Sequence, residues 1–441
     1  MEAVRVSVIN RLRSPNIVYA DDPWSGPPFP PGQYALALED GASVLLLRDP
    51  LGCNKLFYGR NESGALVLAN RIDRALMNGA MLDDLASVPP GHLLRISASN
   101  IAIEASDDLT THPPSEAFDP VEFQRGVANG LADAFERIGQ TFPSERMVVC
   151  LSGGLDSTLI ADFACRRFGD RVCAASFSYI GHDDHKAWLS RSTTITELAS
   201  LSDDFNAARG VAEVLGIPLI PVFRPNESVL SALAPASALC QDFRDFNVHC
   251  AIVNLFLAET IRARFADEPV VILTGDLMNE YVCDYHEERI DGTVYYRQPR
   301  VPLETRRRFL LRGLDAGDRE IGVFGAFGLL ACQPYAALAR LYLQIPSDLL
   351  ADPNLKRGLN APLLRPELRD RVNTAKQRAQ VGGRDGGTLG LLHRHKIGGE
   401  FLRSLWADML PDARRSDDPW DIIQIGRYRT EPRHGLEIRR N

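Results

Sequence analysis

The sequence lacks the patterns that mark secreted, membrane-spanning or zinc-binding proteins. Its eight cysteines include no CxxC pair, and several lie within apolar stretches, which predicts buried free thiols in a reducing compartment. No apolar run approaches the roughly 20 residues that cross a bilayer. The first residues, MEAVRVSVINRLRS, have no apolar core of the kind found in signal peptides. We therefore expect a cytoplasmic protein with no membrane partner.

An excess of positive charge is missing as well. The formal net charge of -8 and the pI of about 5.7 give no global electrostatic support for a nucleic-acid partner. Basic residues gather at RRRFLLR (306–312) and near the C-terminus, and we interpret them as a solvated helix face and a tail. With 45% hydrophobic residues among 441, the chain has enough apolar material for two or three domains.

Two regions differ in pattern. Up to about residue 105, short β-like runs such as QYALALED alternate with turn residues. The polar stretch at 106–120 predicts a linker. Beyond it, strand-like runs alternate with helical spacing, which predicts a parallel sheet with helices on both faces. We expect strands at Met147–Leu151, Val172–Tyr179, Leu219–Phe223 and Pro269–Leu273, a helix at Val253–Phe265, and a mainly helical chain from about 303 onward. The predicted domains are residues 1–110 and 120–441.

The loop CLSGGLDST (150–158) follows the first predicted strand and leads into a helix. It has neither the GK[ST] of a Walker A motif nor a GxGxxG pattern. Its two glycines allow a tight turn close to a ligand, and the N–H groups at a helix N-terminus favour an anion. Ser152 and Ser157 add hydroxyl donors, whereas Asp156 would repel a phosphate unless a divalent cation such as Mg²⁺ lay between them. The alternative interpretation is an ordinary turn capped by Ser or Asp.

SGGLDS resembles the signature of the ATP-pyrophosphatase (PP-loop) enzymes, which split ATP into AMP and pyrophosphate while adenylating a substrate. Other stretches are similar to the asparagine synthetase and β-lactam synthetase group, namely RDPLGCNKLFYGR, CAASFSYIG, DDFNAARGVAEVLGIP, ILTGDLMNEY, DREIGVFGAFGLLACQPYAALARLYLQIP and AKQRAQVGGRDGG. The resemblance implies an α+β N-terminal domain with truncated Ntn-hydrolase-like β layers, similar to class II glutamine amidotransferases. It further implies an α/β PP-loop synthetase domain with a Rossmann-like parallel sheet and a helical C-terminal part.

The N-terminal region departs from that group. Members that hydrolyse glutamine carry a cysteine directly after the initiator Met, where this chain has Glu2, and no cysteine precedes Cys53. The run YALALED begins at residue 34, so the first half of the amidotransferase fold is missing. We therefore expect no glutaminase activity from this region.

The synthetase region departs at the metal site and at the acceptor site. The group's second magnesium-binding aspartate falls on Asn279, a neutral ligand, and Asp276 or Glu280 is expected to supply the missing charge. The proton-relay pair of the β-lactam synthetases falls on Asp276 and Leu330, which disfavours lactam closure by that pair. CDYHEER (283–289) offers Tyr285, His286, Glu287 or Glu288 as a replacement general base.

The resemblance also implies the remaining site residues. Lys376 is implied to stabilise charge on the α-phosphate and on the tetrahedral oxyanion. The catalytic candidates are Lys376, Asp276, Glu280 and His286, and the metal ligands are Asp156 and Asn279. The residues implied to hold ATP are Leu151, Ser152, Gly153, Gly154, Leu155, Asp156, Ser157, Ser176, Phe177 and Gly275. We interpret Lys356 and Lys396 as surface charges.

These observations predict an enzyme that uses ATP and Mg²⁺ to adenylate a carboxylate, releases pyrophosphate, and then forms an amide with an amine or ammonia while releasing AMP. Small-molecule or peptide substrates are expected, in specialised metabolism such as antibiotic biosynthesis or peptide modification. Two alternatives stay open: a catalytically degenerate relative that binds a nucleotide or a partner, and an enzyme that activates a carbonyl oxygen. The sequence does not name the substrates, and it leaves a homo-oligomer open.

Overall fold

A computed structural model of the chain describes residues 17–19, 31–40, 43–81, 84–97, 100–105, 109, 117–198, 201–266, 268–313, 318–372, 380–381, 386–409 and 437–440. The predictions for Glu2, for Lys376 and for most of the linker lie outside these residues. No helix in this part of the chain is long and apolar enough to cross a membrane. The eight cysteines are all described and all free, as predicted.

The strands follow one another along the chain as β1 (Ile17–Tyr19), β2 (Ala35–Asp40), β3 (Ser43–Arg48), β4 (Phe57–Arg60), β5 (Leu66–Ala69), β6 (Ala86–Ser87), β7 (His92–Ile96), β8 (Asn100–Ala105), β9 (Arg146–Cys150), β10 (Val172–Ile180), β11 (Leu219–Pro225), β12 (Val270–Leu273), β13 (Glu288–Ile290), β14 (Thr293–Tyr295), β15 (Leu330–Cys332) and β16 (Glu437–Arg440). The helices are α1 (Ile72–Met77), α2 (Pro120–Thr141), α3 (Leu155–Phe168), α4 (His182–Leu189), α5 (Asp203–Leu215), α6 (Ser228–Cys240), α7 (Asp245–Arg264), α8 (Met278–Val282), α9 (Leu303–Gly313), α10 (Ile321–Gly325), α11 (Ala339–Leu343), α12 (Leu355–Asn360), α13 (Pro366–Arg369), α14 (Gly387–Arg394) and α15 (Gly399–Met409).

The N-terminal region consists of two β-sheets that pack face to face. Their strand orders are β1-β5-β4-β6 and β16-β8-β7-β3-β2, and most neighbours are antiparallel. Burial alternates along β3, as expected for a strand with one face toward a core. That core lies between the sheets and contains Leu46, Tyr58, Leu68 and Leu94. The antiparallel layers agree with the α+β expectation, while their likeness to an Ntn hydrolase stays a prediction.

The synthetase region is built on a five-stranded sheet in the order β11-β10-β9-β12-β15, and every pair in it is parallel. All nine residues of β10 are buried, which is typical of a parallel sheet covered by helices on both faces. The predicted α/β architecture is therefore confirmed. Strands β9 to β12 lie within two residues of their predicted bounds.

Two elements differ from the sequence-based expectation. β15 adds a fifth strand inside the stretch 318–346, which we expected to be helical; its three residues are too few to give a periodic signal. α7 begins at Asp245, eight residues before the predicted Val253, because its first turns are buried on several sides and so lack an amphipathic pattern.

The strand order places two loops side by side. Leu273, the last residue of β12, pairs with Val149 of β9, so SGGLDS and TGDLMNE emerge at the same edge of the sheet. The loops touch: a Cβ added to Gly275 would lie 2.7 Å from the backbone nitrogen of Ser157. This is the edge where open parallel sheets bind their ligands.

The N-terminal sheets are joined to the synthetase region by buried polar contacts. The backbone nitrogen of Gln333 donates to Oε1 of Gln33 at 2.8 Å, and the backbone nitrogen of Ile72 donates to Oε1 of Gln241 at 2.6 Å. The N-terminal region is thus packed directly against the synthetase region. The exact division at residues 110 and 120 stays a prediction.

Candidate active site

A cavity of about 650 Å³ opens at the carboxyl edge of the parallel sheet. Its floor is formed by the loops after β9 and β12, and one wall is formed by α7. The segment around α12 closes the opposite side. A cleft of this size is typical of a nucleotide or another small-molecule ligand.

The glycine loop is held in one conformation by contacts on both sides. Gly153 has a φ of +74°, and a Cβ there would lie 2.5 Å from the backbone nitrogen of Ala208 in α5, so only glycine fits. Oγ of Ser157 accepts from the backbone nitrogen of Ser152 at 3.1 Å. Gly154 then caps α3 with extended backbone geometry. The loop therefore presents the amides of a helix N-terminus to the cavity, as an anion site requires.

Lys356 lines the cavity and lies among side-chain oxygens of the two loops and of Asp284. Its Nζ lies 2.9 Å from Oδ2 of Asp156, 2.8 Å from Oδ1 of Asn279 and 2.8 Å from Oδ2 of Asp284. Only 16% of the side chain is exposed. Burial alone would lower the pKa of Lys356, but Asp156 and Asp284 raise it above its ordinary value. Our interpretation of Lys356 as a surface charge is therefore wrong, whereas Lys396 is exposed.

The same residues fit a divalent cation. Oδ1 of Asp156 is buried and has no hydrogen-bond partner among the residues that the structure describes, and Oδ1 of Asn279 contacts the same Lys356 ammonium as Asp156 does. Mg²⁺ is commonly bound by one or two protein oxygens together with substrate phosphates. Asp156 and Asn279 can supply such a pair when a nucleotide is present.

A second charged group surrounds Arg319. Its Nη2 lies 3.4 Å from Oε1 of Glu280, and its Nε donates to Oε1 of Glu320. Tyr285 donates its hydroxyl to Oε1 of Glu280 at 2.6 Å. Burial raises the pKa of Asp276 and raises that of Glu320 to about 8. Carboxyl groups with raised pKa values in a cavity are suited to proton transfer near neutral pH.

The comparison with protein-family models identifies the chain. The model described as Asparagine synthase matches residues 127–385, more than half of the 441 residues. The chain belongs to the asparagine synthase family. This membership supports an ATP-dependent, amide-forming ligase chemistry and the PP-loop interpretation of SGGLDS.

Other comparisons add little to the family match. A search of curated proteins finds no match. Solved structures with some similarity include an NH3-dependent NAD synthetase from Campylobacter jejuni subsp. jejuni, with 15% identity over 44% of this chain and 74% of that chain and a TM-score of 0.25. An NMN synthetase from Francisella tularensis has 15% identity over 64% of this chain and 94% of that chain, with a TM-score of 0.24. These likenesses are too low to carry information on function.

Most residues predicted from the family resemblance lie together in the cavity. Those that line it are Leu151, Ser152, Gly154, Leu155, Asp156, Ser157, Ser176, Phe177, Gly275, Asp276, Asn279, Tyr285 and His286. Gly153 packs against α5 instead. Glu280 is buried and contacts Arg319 but does not line this cavity. Glu287, Glu288 and Leu330, which belongs to β15, are not among the lining residues. Lys376 is outside the described residues, so its role stays a prediction.

Four residues of the site were missed as functional residues by sequence reasoning. Lys356, Asp284, Arg319 and Glu320 line the cavity, although no local pattern distinguishes them from ordinary charged residues. Usable signals existed for Arg319 and Glu320, because DREIG opens the stretch that resembles the family's acceptor-site helices, and for Asp284, which lies in the CDYHEER stretch.

Proposed function

We propose that this asparagine synthase family member is an AMP-forming carboxylate–amine ligase without glutaminase activity. The single observation that carries the proposal is that Nζ of Lys356 contacts both Asp156 and Asn279 beside the loop SGGLDS (152–157), which we call the phosphate loop. A cation and metal-ligating oxygens next to helix N-terminal amides suit a polyphosphate whose charge must be neutralised as it leaves.

In the first half-reaction, a substrate carboxylate oxygen attacks the α-phosphorus of ATP, and the bond to pyrophosphate breaks. The amides of residues 152–157 and the hydroxyls of Ser152 and Ser157 bind the departing phosphates. The Lys356 ammonium stabilises the negative charge that grows on them. Mg²⁺ held by Asp156 and Asn279 would supply additional neutralisation of the phosphates.

In the second half-reaction, the amine nitrogen attacks the acyl carbon, and AMP leaves with the bonding electron pair. The attacking ammonium must first lose a proton. Asp276 and Glu320 are the candidate acceptors, and both line the cavity of about 650 Å³, which we call the ATP-side cavity. Arg319 holds Glu320 in place through a hydrogen bond from its Nε. Lys376 keeps its family-implied role on the oxyanion in this scheme, and His286 stays an alternative base.

One observation favours a second candidate function. Because Nζ of Lys356 contacts both proposed metal ligands, its ammonium can itself neutralise them. A chain that bound a nucleotide through Lys356 without Mg²⁺ would be the degenerate binding relative that the sequence left open.

The test incubates the chain with ATP, MgCl2, hydroxylamine and pools of amino acids, dicarboxylic acids and aryl carboxylic acids. Hydroxylamine intercepts an acyl-adenylate as a hydroxamate, and chromatography separates AMP from ADP. We expect AMP, pyrophosphate and hydroxamate with at least one pool, none of them with Asp156→Ala, and unchanged yields with the exposed control Asp133→Ala. Formation of ADP, or AMP release that needs no carboxylate, contradicts the scheme. ATP binding by calorimetry without any AMP supports the degenerate binder.

A further inference from the structure

A second cavity of about 240 Å³ lies next to the ATP-side cavity. The two share the side chains of Phe246, Tyr285, Arg319 and Glu320 as a common wall. The second cavity reaches the N-terminal region through Cys53 and Lys55, which also line it. Its volume is many times the roughly 30 Å³ that one water-sized molecule takes up, so it is too large to be shaped for ammonia.

Aromatic rings form one side of this cavity. The ring of Phe246 meets Tyr285 edge to face at a centroid distance of 5.6 Å and meets Tyr296 at 5.5 Å. Tyr296 is fixed at a φ of +53°, and its hydroxyl is 2.8 Å from Nδ1 of His249. Leu310 and Ile321 add apolar surface. A rigid aromatic wall of this kind favours an apolar or aromatic stem over a small polar molecule.

The polar lining contains buried oxygens that lack donors. Glu280 is 4% exposed; its Oε1 accepts from Tyr285 and Arg319, but its Oε2 has no hydrogen-bond partner among the residues that the structure describes. Oε1 of Gln298 is also buried without a partner in this part of the chain. A buried carboxylate oxygen left in this way costs free energy that a ligand N–H donor would recover.

Three of the four cationic side chains that line the cavity are bound to other groups of the protein. Arg319 pairs with Glu280 and Glu320, and Arg244 pairs with Asp242. Lys55 donates to the carbonyl oxygen of Gly52 at 2.8 Å, and Arg297 is exposed. At Glu280 itself, a ligand carboxylate would meet the unpaired Oε2 as a like charge, whereas a ligand ammonium would donate to it, so this part of the lining favours a cationic ligand over an anionic one.

We propose that the second cavity binds the acceptor substrate, and that this acceptor is a primary amine on an apolar, aryl-sized stem rather than ammonia. Its ammonium donates to Oε2 of Glu280, and its stem lies against Phe246, Tyr285 and Tyr296. The nitrogen then sits at the wall shared with the ATP-side cavity, where Glu320 and Arg319 face both spaces. The inference rests on the proposed ligase function, since it assigns that enzyme's acceptor.

The experiment measures binding to the full chain without ATP, by calorimetry or ligand-observed NMR. Three probes share a phenylethyl stem and differ in the charge of the head group: 2-phenylethylamine, 2-phenylethanol and 3-phenylpropionate. We expect the amine to bind about tenfold or more tightly than the alcohol, and the acid to bind least, because only the ammonium supplies a charged donor to Glu280. Glu280→Gln should remove this preference while leaving alcohol binding unchanged. Glu213→Gln, an exposed carboxylate of α5, is the matched control and should bind all three probes like the wild type.

A second variant keeps the test decisive if Glu280→Gln does not fold. Leu310→Trp, at a half-buried position of α9, fills the cavity and should weaken the amine and the alcohol alike. Equal binding of the three probes, tighter binding of the acid, or no effect of Leu310→Trp overturns the proposal. AMP release is measured separately, with ATP, MgCl2 and the carboxylate pools of the ligase test present, and with ammonium chloride or 2-phenylethylamine as acceptor. Selective binding of the amine without AMP release contradicts the proposed ligase function but supports an amine-binding cavity. AMP release without selective binding of the amine contradicts only the proposed role of the second cavity.

Discussion

Lys356 and Asp156, which lie 200 positions apart in the chain, meet across the candidate active site with Nζ 2.9 Å from Oδ2. The contact joins α12 to the first turn of α3, so it links the C-terminal helical part to the phosphate loop. Asp284 approaches the same ammonium at 2.8 Å. The cation is thus held beside the SGGLDS loop rather than being free to move with solvent.

Removal of this cation is the first prediction. Lys356→Met should lower the rate of AMP formation roughly 100-fold or more, because charge on the departing pyrophosphate loses a positioned cation. Lys356→Arg should retain part of the rate. The matched control is Lys396→Met, since Lys396 is exposed and should tolerate the change. An unchanged rate in Lys356→Met would assign the lysine a structural role.

The second prediction concerns the neutral metal ligand. Asn279→Asp should lower the Mg²⁺ concentration for half-maximal AMP formation roughly tenfold, because an ionised carboxylate is a stronger ligand for a hard cation than an amide oxygen. The measurement is AMP release against MgCl2 at saturating ATP. Asn206→Asp, an exposed change in α5, controls for the added charge. The same Mg²⁺ dependence in both variants would place the metal away from residue 279.

The third prediction tests the contact between the two phosphate-side loops. A Cβ at Gly275 would lie 2.7 Å from the backbone nitrogen of Ser157 and 3.0 Å from the carbonyl carbon of Asp156. Because backbone cannot yield as a flexible side chain does, Gly275→Ala should lower the free energy of unfolding by about 1–3 kcal/mol and weaken ATP binding.

The control for this change is Gly210→Ala in α5, where a Cβ meets nothing within 4 Å. There alanine should leave the free energy of unfolding unchanged or raise it by up to about 1 kcal/mol, since alanine is the better helix former. Urea titration measures both variants. Equal stability of the two variants would show that the loops separate without cost.

The sequence predicts the part of the site that depends on local pattern. SGGLDS and TGDLMNE follow adjacent parallel strands, so their meeting at one edge follows from the alternation of strands and helices. Lys356 could not be found in this way, because its position depends on how α12 packs against α3 and α8, 77 to 200 residues away in sequence. A single lysine in a helical stretch carries no signal of such packing.

Electrostatic properties also required the structure. From the sequence DREIG, Glu320 is expected to be an ordinary ionised carboxylate. In the structure, burial together with the nearby charges of Asp276 and Glu280 raises its pKa to about 8. The second cavity combines Lys55 from the N-terminal region with Tyr296, which directly follows the β13–β14 hairpin, and with α9. Three distant segments meet there, and no spacing rule connects them. The family resemblance had located the acceptor site only as far as the stretch 318–346.

The fourth prediction uses the buried imidazole of His249, which is 2% exposed and bonded to the Tyr296 hydroxyl. Burial lowers its pKa from 6.5 to about 4, against an opposing effect of Asp245. Between pH 6.5 and 4 the unfolded chain therefore takes up a proton that the folded chain does not. The free energy of unfolding should fall by about 3 kcal/mol across this window as the pH decreases.

Carboxyl groups titrate in the same range, so the His249 contribution is isolated as a difference between variants. His249→Gln keeps a hydrogen-bonding group near Tyr296 but has no proton to gain, and its stability should therefore decline less steeply than that of the wild type between pH 6.5 and 4. His395→Gln, at an exposed position, should follow the wild-type curve. Urea unfolding at half-unit pH intervals measures the slopes. If His249→Gln and the wild type decline in parallel, the imidazole takes up its proton in the folded protein as readily as in the unfolded chain, which contradicts the lowered pKa. The hydrogen bond to Tyr296 would then be made by an imidazolium at acidic pH.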